Sequence, residues 1–228
     1  MRFVLLGRGK TGSLVGEVAQ HRGHDVLVLG SKENFQATAI HPKALEGVDC
    51  VFDFTTPHAV LENIAACARA RTNMVVGTTG WYADLPRVRQ LVEQSAMGFL
   101  YAANFSIGVN LFYAVARAAA AALAHGYSGS IHEIHHIHKK DAPSGTAVAL
   151  QKTIAAAASV TLPITSAREG EVVGTHSLTL DSPNDTITLT HASKSRRGFA
   201  EGAVLAAEWL AGKKGFFDFQ DVFQKLGK

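Results

Sequence analysis

The sequence predicts an α/β fold in which an N-terminal Rossmann-type, doubly wound parallel sheet is followed by a second α+β domain built on a mixed sheet. In the first hundred residues, short apolar strands alternate with helical stretches, the pattern of parallel sheets with right-handed crossovers. After residue 105 the alternation stops, and an Ala-rich helical stretch leads into strands that include a hairpin. We therefore expect one domain at residues 1–105, a second at 106–195, and a C-terminal segment at 196–228 that returns to the first.

A glycine-rich loop joins the first strand to the first helix. Residues 3–6 are apolar, residues 7–12 follow the Gly-x-Gly-x-x-Gly spacing, and residues 13–21 continue as a helix. In this context the spacing is typical of a dinucleotide site, because glycines let the backbone approach a pyrophosphate at the helix N-terminus. A tight turn without a ligand is the alternative. The loop residues expected to bind the cofactor are Gly7, Arg8, Gly9, Lys10, Thr11 and Gly12.

The end of the second strand, residues 26–29, bears on the choice of cofactor. NAD-preferring sites usually carry Asp or Glu there to bind the ribose hydroxyls, but this chain reads Gly30-Ser31-Lys32. With no carboxylate to repel it and with Lys32 nearby, a 2′-phosphate could be accommodated. We therefore expect NADPH or NADH as cofactor, with NADPH favoured and with Ser31 and Lys32 in the site. The alternative is that Lys32 is a solvated loop cation.

Further strands are predicted at residues 50–54, 74–76 and 98–101, with helices at 58–70 and 84–95 between them. Loops at the carboxyl ends of parallel strands line the ligand crevice of doubly wound sheets. We expect the residues at these ends to contact the dinucleotide, namely Phe54, Gly77, Thr78, Thr79, Ala102, Ala103, Asn104 and Phe105.

The second domain is predicted to combine helices at 106–125 and 146–158 with a strand at 130–139, a short strand at 172–173 and a hairpin of strands 175–181 and 186–192. The open face of this sheet could serve assembly, since such a face needs covering. A final helix runs from Arg196 through Leu210, and the aromatic residues at 216–223 are expected to pack against the first domain.

The segment from His132 to Ala147 concentrates chemical groups and is interpreted as the active site. In an extended strand, Glu133, His135 and Lys139 share one face, so a base and an ammonium donor converge. The following turn leads into a helix at about Ala147, with Ser144 or Thr146 as N-cap, and its free N–H groups could hold an anion. Two alternatives stay open: a polar edge strand before a capped helix, or a metal site formed by the four histidines at 132–138. Lys139 and Lys140 argue against the metal, and none is expected.

Composition excludes several classes of protein. The chain of 228 residues is 47% hydrophobic and 18% charged, as in soluble globular proteins, and its net charge of +3 is too small and dispersed to argue for nucleic acid. The apolar tract 107–124 is interrupted by Asn110 and Arg117, so no membrane span is expected. The apolar run at residues 3–6 is too short for a signal sequence and leads straight into glycines, so no targeting segment is expected. Cys50 and Cys67 are expected to be buried free thiols, which indicates the cytoplasm.

The residues so far resemble the dihydrodipicolinate reductase family, also called 4-hydroxy-tetrahydrodipicolinate reductases. The most specific match is residues 133–147, which follow the pattern E-x-H-H-x-x-K-x-D-A-P-S-G-T-A. Supporting matches are residues 53–55, 77–80 and 102–110, together with Arg168, Gly170, Gly174, His176, Arg196, Phe199, Ala200, Gly202 and Ala203. The resemblance covers nearly the whole chain.

The resemblance implies an NAD(P)H-dependent oxidoreductase that reduces a cyclic dicarboxylic imine, with loss of water, in diaminopimelate and lysine biosynthesis. It implies that His135 donates or accepts a proton and that Lys139 donates one. It also implies a homotetramer formed through the second domain's sheet. The expected partner is therefore a small dicarboxylate, and the substrate-binding residues are expected to be His136, Lys139, Ser144, Gly145, Thr146 and Arg196.

Some features depart from the family pattern. The chain is short between the second and third strands, the glycine loop has one residue fewer, and Thr56 stands where some members carry Arg. Two other functions stay open: a related dehydrogenase of an amino or hydroxy acid, and a nucleotide sensor with an inactive site. Neither accounts for the presence of both His135 and Lys139 within the full signature.

Overall fold

The computed structural model describes residues 1–226 and divides the chain into two units. One unit consists of Met1–Ser106 together with the chain from Arg197 onward, and the other is Ile107–Arg196. The strands are β1 (Arg2–Leu6), β2 (Asp25–Leu29), β3 (Cys50–Asp53), β4 (Asn73–Val76), β5 (Gly98–Tyr101), β6 (Ser128–His135), β7 (Ile164–Arg168), β8 (Thr175–Asp181), β9 (Thr186–Ala192) and β10 (Gly215–Asp218). The helices are α1 (Lys10–His21), α2 (Pro57–Ala70), α3 (Leu85–Ser95), α4 (Ile107–Ala119), α5 (Gly145–Ala158), α6 (Arg197–Leu210) and α7 (Phe219–Val222).

The first unit is built on a parallel six-stranded sheet in the order β10-β5-β4-β3-β1-β2. The chain winds outward from β1 in both directions, so the order reverses between β1 and β3, where doubly wound sheets bind ligands. Every residue of β3 and β4 is buried, as expected of strands covered on both faces. The predicted Rossmann-type sheet is confirmed.

Helix α6 of this unit packs closely on the chain that follows β5. A Cβ atom at Gly202 of α6 would overlap the carbonyl oxygen of Phe105, so the two backbones touch where the glycine stands. Phe105 is buried, and its ring meets that of Phe219 edge to face at 4.9 Å. The C-terminal segment then adds β10 beside β5, in parallel.

The second unit has a mixed four-stranded sheet in the order β7-β6-β8-β9, in which only β6 and β7 are parallel. Helices α4 and α5 form a core with one face of this sheet, which includes Phe112, Leu150 and Ile131. Residues of the other face alternate with these along each strand. In register across β6, β8 and β9 they include His132, Ser177 and Thr190, and none of the three is buried. The predicted α+β unit is confirmed, and its open sheet face is rich in Ser and Thr.

Three local predictions in this unit are wrong. The strand predicted at 130–139 ends at His135, because the chain turns and the Lys139 N–H donates to the His136 carbonyl at 3.1 Å. The strand predicted at 172–173 is absent from the described residues, and β7 takes the place beside β6 instead. The predicted helix 106–125 is α-helical only to Ala119, and Ala120–His125 tighten into a 3-10 helix that ends at Gly126 with φ +85°.

The segment Ile107–His125 is long and apolar enough to cross a membrane by length and composition alone. A third of its most apolar window is buried, 33%, and Val109, Phe112 and Ala116 belong to the core of the second unit. Core helices of soluble proteins pass the same test, and the buried residues of this segment pack in the second unit.

Candidate active site

The glycine loop of the first unit is shaped by contacts that only glycine permits. Gly7 has φ +102°, and a Cβ there would overlap the Phe54 carbonyl oxygen, while a Cβ at Gly12 would lie 2.6 Å from the Gly7 oxygen. Helix α1 begins at Lys10, with Gly9 as an N-cap that lacks a side chain. The first N–H groups of α1 are therefore not capped by a side chain and are suited to hold a phosphate.

Two cavities lie along the carboxyl ends of the strands in this unit. A cavity of about 800 Å³ is lined by residues 6–9, 29–36, 54–56, 58–59 and 62–63, which include Arg8, Ser31, Lys32 and Phe54. A smaller one of about 290 Å³ is lined by residues 9–12, 54–55, 57 and 77–79, which include Gly77, Thr78 and Thr79. The two cavities thus contain most of the expected cofactor site, namely residues 7–12, 31–32, 54 and 77–79. Ala102, Ala103, Asn104 and Phe105 line neither cavity among the described residues.

A carboxylate does lie beyond β2, contrary to the premise of the cofactor argument. Glu33 folds back so that its side chain accepts from the Gly30 N–H at 3.0 Å and pairs with the Arg8 guanidinium at 2.9 Å. Sequence reasoning missed it because the acid stands three residues further than in the usual pattern. The cavity wall therefore carries the cations Arg8 and Lys32 together with two acids, Glu33 and Glu62.

Glu133 is the centre of the cluster in the second unit. It stands on β6 with no exposed surface, and one carboxylate oxygen accepts from the Ser144 N–H at 3.2 Å and from both terminal nitrogens of Arg168 at 3.3 Å. The other oxygen lies 3.0 Å from His135 Nδ1. Burial raises the pKa of Glu133, but hydrogen bonds from Ser144 and Ser166, with a smaller contribution from the nearby His135, outweigh it and lower the pKa overall.

His135 is held with Nδ1 towards this carboxylate and Nε2 towards Gly174, where a Cβ would lie 2.9 Å away. Neither His135 Nδ1 nor the facing Glu133 oxygen makes an aligned hydrogen bond in the described chain. Because the two atoms lie 3.0 Å apart, we infer that the Nδ1 proton points towards this oxygen. Burial lowers the pKa of His135, helped by the charges of Lys139 and Arg168 and opposed by Glu133. The imidazole is thus neutral at neutral pH, with Nε2 left for chemistry.

His176 and Ser144 complete the buried part of the cluster. Ser144 Oγ lies 3.0 Å from His176 Nε2 and accepts from the Ala147 N–H at 3.1 Å, so Ser144 is the N-cap of α5, one of the two expected. Burial, together with the proximity of His135, lowers the pKa of His176 to about 4. His176 and Arg168 entered the sequence analysis only as family matches, because neither belongs to the local signature.

Lys139 reaches the site from a turn rather than from the strand face that the alternation predicted. Its ammonium group binds both oxygens of Asp141, at 2.8 and 3.0 Å, and this hydrogen bond lowers the pKa of Asp141. The Arg168 guanidinium fixes the same turn by donating to the Asp141 carbonyl at 2.6 Å. Lys139 thus lies close enough to His135 to affect its pKa, while its ammonium group pairs with the Asp141 carboxylate.

The other expected substrate residues differ in burial and in their distance from the Glu133 cluster in the chain. His136 is half-buried, and its Nδ1 has no hydrogen-bond partner within residues 1–226. Gly145 and Thr146 form the first turn of α5, with open space where a Cβ of Gly145 would stand. Arg196 is exposed at the end of the unit and makes no hydrogen bond or ion pair with the cluster in the described part of the chain.

The four histidines at 132–138 do not converge on a common metal site. His132 is exposed and its Nδ1 contacts Thr165 Oγ1 at 2.8 Å, and His138 is exposed beside Glu171. Glu133, His135 and His176 do offer ligand atoms within 4.8 Å of one another. Arg168 already donates to that carboxylate, so its charge opposes a second cation there.

Comparisons with known proteins cover both units. The family model described as Dihydrodipicolinate reductase, N-terminus matches residues 1–105, and the one described as Dihydrodipicolinate reductase, C-terminus matches residues 108–223. A protein of Christiangramia forsetii is 36% identical, with 100% of both chains covered. A protein of Laribacter hongkongensis is 38% identical, with 86% of this chain and 80% of the relative covered. Both are named 4-hydroxy-tetrahydrodipicolinate reductase.

Solved structures agree with these matches. A dipicolinate-bound dihydrodipicolinate reductase from Paenisporosarcina sp. TG-14 aligns with a TM-score of 0.81 at 25% identity, covering 97% of this chain and 99% of the other. An amine dehydrogenase from Mycobacterium smegmatis aligns with a TM-score of 0.61 at 10% identity, covering 95% and 94%. The second likeness shows a shared fold alone.

Proposed function

Because the chain belongs to the dihydrodipicolinate reductase family, we propose that it reduces 4-hydroxy-tetrahydrodipicolinate to tetrahydrodipicolinate, with loss of water, at the expense of NAD(P)H. It is an oxidoreductase of diaminopimelate and lysine biosynthesis. The observation that carries this conclusion is the match of both family models, which together span nearly the whole chain. The buried free thiols Cys50 and Cys67 agree with a cytoplasmic location.

The first unit fits a dinucleotide. Gly7 and Gly12 of the loop leave no room for a side chain, the N-terminus of α1 lacks a side-chain cap, and two cavities flank the loop. A bound nicotinamide supplies the hydride, so the residues of the protein bind, orient and protonate. The residues proposed to hold the cofactor are Gly7, Arg8, Gly9, Lys10, Thr11, Gly12, Ser31, Lys32, Phe54, Gly77, Thr78, Thr79, Ala102, Ala103, Asn104 and Phe105.

NADPH is the favoured cofactor, and NADH is also used. Arg8 and Lys32 line the larger cavity, so a 2′-phosphate would meet two cations once Arg8 turns from Glu33. Glu33 offers an acceptor to an unphosphorylated ribose, which supports NADH as the second cofactor. The Arg8 and Glu33 side chains are both well exposed, so salt screens their charges. The preference for NADPH over NADH is therefore modest.

The substrate carries two carboxylates, and the second unit offers groups of matching charge. The first turn of α5 presents backbone N–H groups at Gly145 and Thr146, where an anion is stabilised by the helix dipole. Lys139 and His136 stand in the loop before α5 and add a cation and a donor. Ser144 caps the same helix, and Arg196 is proposed to reach the substrate from its exposed position.

The reaction consumes one hydride and one proton and releases water, so the site needs an acid. Lys139 carries the proton as an ammonium ion, and Asp141 holds it until the dianionic substrate competes for the charge. His135 is neutral, with its Nδ1 proton towards Glu133, so its Nε2 can accept a proton and return it. We assign proton donation to Lys139 and proton transfer to His135.

A homotetramer is proposed through the sheet of the second unit. The face opposite α4 and α5 carries Ser and Thr side chains along three strands, and no described residue of the unit covers it. An isologous contact between such faces would satisfy their hydroxyl groups and shield the open sheet.

The reductase assay tests the function directly. The protein is mixed with NADPH or NADH and with substrate generated in place by dihydrodipicolinate synthase from pyruvate and aspartate semialdehyde, and absorbance at the nicotinamide band is followed. Rapid oxidation that depends on the synthase is expected, with a higher kcat/KM for NADPH. Folded protein that binds NADPH but does not oxidise it when this substrate is supplied would contradict the assignment.

A further inference from the structure

A buried carboxylate at the end of β3 joins loops that line both cavities of the first unit. Asp53 has no exposed surface and lines neither cavity. One of its oxygens accepts from the Thr55 N–H at 3.0 Å, from Thr55 Oγ1 at 2.7 Å and from Thr78 Oγ1 at 2.6 Å. Thr55 and Thr78 both line the smaller cavity. The carboxylate therefore fixes the loops after β3 and β4 against each other.

The second oxygen of Asp53 starts a chain of amide hydrogen bonds that leads to the loop after β2. Asn63 Nδ2 donates to Asp53 at 2.8 Å, and Asn34 Nδ2 donates to Asn63 Oδ1 at 2.9 Å. The Ala39 N–H then donates to Asn34 Oδ1 at 3.2 Å. We call this chain of four residues, Asp53, Asn63, Asn34 and Ala39, the amide relay.

The two ends of the amide relay fix the donor-to-acceptor direction of its hydrogen bonds. A carboxylate only accepts and a backbone N–H only donates, so both asparagine side chains must point their NH2 groups towards Asp53. In that orientation every donor meets an acceptor. An amide at position 53 would face the Asn63 NH2 group with its own NH2, and flipping Asn63 or Asn34 only moves the clash towards Ala39.

The loop after β2, which the amide relay contacts, has an unfavourable backbone conformation. Gln36 and Ala37 have φ of +50° and +58°, a backbone conformation that non-glycine residues adopt at a cost. Between Gly30 and Asn34 the same loop carries Ser31, Lys32 and Glu33, which line the larger cavity, and the relay members Asn34 and Asn63 line it as well. The relay is thus the connection through which Asp53 can fix the position of these side chains.

We propose that Asp53 is a positioning residue for the cofactor: through the amide relay it sets the loop after β2, and so the affinity for NAD(P)H, without touching the cofactor. This inference rests on the proposed function. Disturbing the relay should raise the KM and Kd for the cofactor and leave kcat and the KM for the imine substrate nearly unchanged. A purely structural role would instead lower the amount of active enzyme.

The test reverses the direction of the relay. Asp53→Asn and Asn34→Asp each create one unresolvable clash, whereas the double variant Asp53→Asn/Asn34→Asp restores a complete chain with the carboxylate at the other end. NADH is used, so that a new charge at position 34 meets no 2′-phosphate. Cofactor KM and Kd, the latter by nicotinamide fluorescence, are expected to rise about tenfold in each single variant and to return within about threefold of wild type in the double variant.

Two further variants keep the test decisive. Asn34→Ala removes the outer part of the relay at a half-buried position that also lines the larger cavity, and a rise in cofactor KM is expected there even if Asp53→Asn does not fold. Recovery in the double variant, which also lacks the Asn34 amide, separates loss of the relay from loss of a direct contact of Asn34. Ser95→Ala removes a hydroxyl bond to the Val92 carbonyl in the same unit, away from both cavities, and should change nothing. Unchanged cofactor KM in Asn34→Ala, a loss confined to kcat, or a double variant as impaired as the singles would overturn the inference. Wild-type protein that fails to bind NADH would instead contradict the proposed function.

Discussion

At the scale of single residues, the chemistry of the second unit depends on one buried carboxylate. Glu133 is fully buried, and its neighbours Arg168, Ser144 and His135 come from β7, the N-cap of α5 and its own strand. A buried charge with several donors is stable in one arrangement, whereas removing a partner leaves an unpaired charge. Glu133 therefore determines both the tautomer of His135 and the place of Ser144.

Glu133→Gln tests this assignment. The amide can still accept from Ser144 and Arg168, but it removes the charge that raises the pKa of His135. We expect kcat to fall about a hundredfold, and the limb of the pH–rate profile that reports His135 to move to lower pH. His132→Gln, on an exposed side chain of the same strand, should leave both unchanged. A shift of the limb to higher pH would contradict the role given to Glu133.

Lys139→Met should remove the proton donor and one cation of the substrate site together. We expect kcat/KM to fall at least about a thousandfold, since general acid catalysis alone contributes about a hundredfold or more. Lys140→Met changes an exposed neighbour and provides the matched control. Turnover retained in Lys139→Met or Lys139→Ala would refute the role of this residue.

His176 makes stability depend on pH. Its pKa falls from 6.5 to about 4 on folding, so the unfolded chain binds more protons between these values and stability is lost as pH falls through this window. Between pH 8 and pH 5 the loss attributable to this residue is about 2 kcal/mol. Urea unfolding at both pH values should show that His176→Asn, though less stable at pH 8, loses less between them. An equal loss in wild type and variant would show that His176 is not the source.

At the scale of elements, α6 depends on close approach to the chain after β5. A Cβ at position 202 overlaps the Phe105 carbonyl oxygen, a backbone atom that cannot move aside as a side-chain end could. The same helix contributes Glu208, which accepts from Arg22 at 2.7 and 2.8 Å and lies 2.7 Å from His24 Nε2. Packing and ion pairing together hold α6 against the elements at the start of the chain.

Gly202→Ala should therefore lower the free energy of unfolding by about 3 kcal/mol or more, as overpacking against a rigid backbone does. Gly198→Ala in the same helix meets nothing within 4 Å, so it should be neutral or stabilise by up to about 1 kcal/mol. Urea denaturation of the two variants separates steric overlap from helix propensity. Equal stabilities would mean that α6 can shift to admit a methyl group.

At the scale of the whole molecule, assembly is expected to depend on the open sheet of the second unit. Ser177 lies in the middle of that face, between His132 and Thr190 in register. Ser177→Arg would bring like charges together in a contact between equivalent faces, so light scattering should show a mass below that of four chains. Ala156→Arg, on an exposed position of α5, should keep the wild-type mass. An unchanged mass in Ser177→Arg would place the assembly surface elsewhere.

The sequence by itself determined the fold class, most strand and helix positions and the two candidate caps Ser144 and Thr146, of which the structure chose Ser144. Periodicity, glycine spacing and capping are local properties of the chain. It placed His135 and Lys139 in one segment and matched them to a family. Only the tertiary structure decided that β7 pairs with β6, that Arg168 and His176 join Glu133, that Glu33 folds back to Arg8, and that Asp53 binds Thr78 and Asn63. Most of these contacts join residues ten or more positions apart, and Glu33 is placed by the fold of its loop. Local pattern therefore could not reveal them, because these contacts depend on which residues the fold brings together, and the buried ones are strengthened by the exclusion of water.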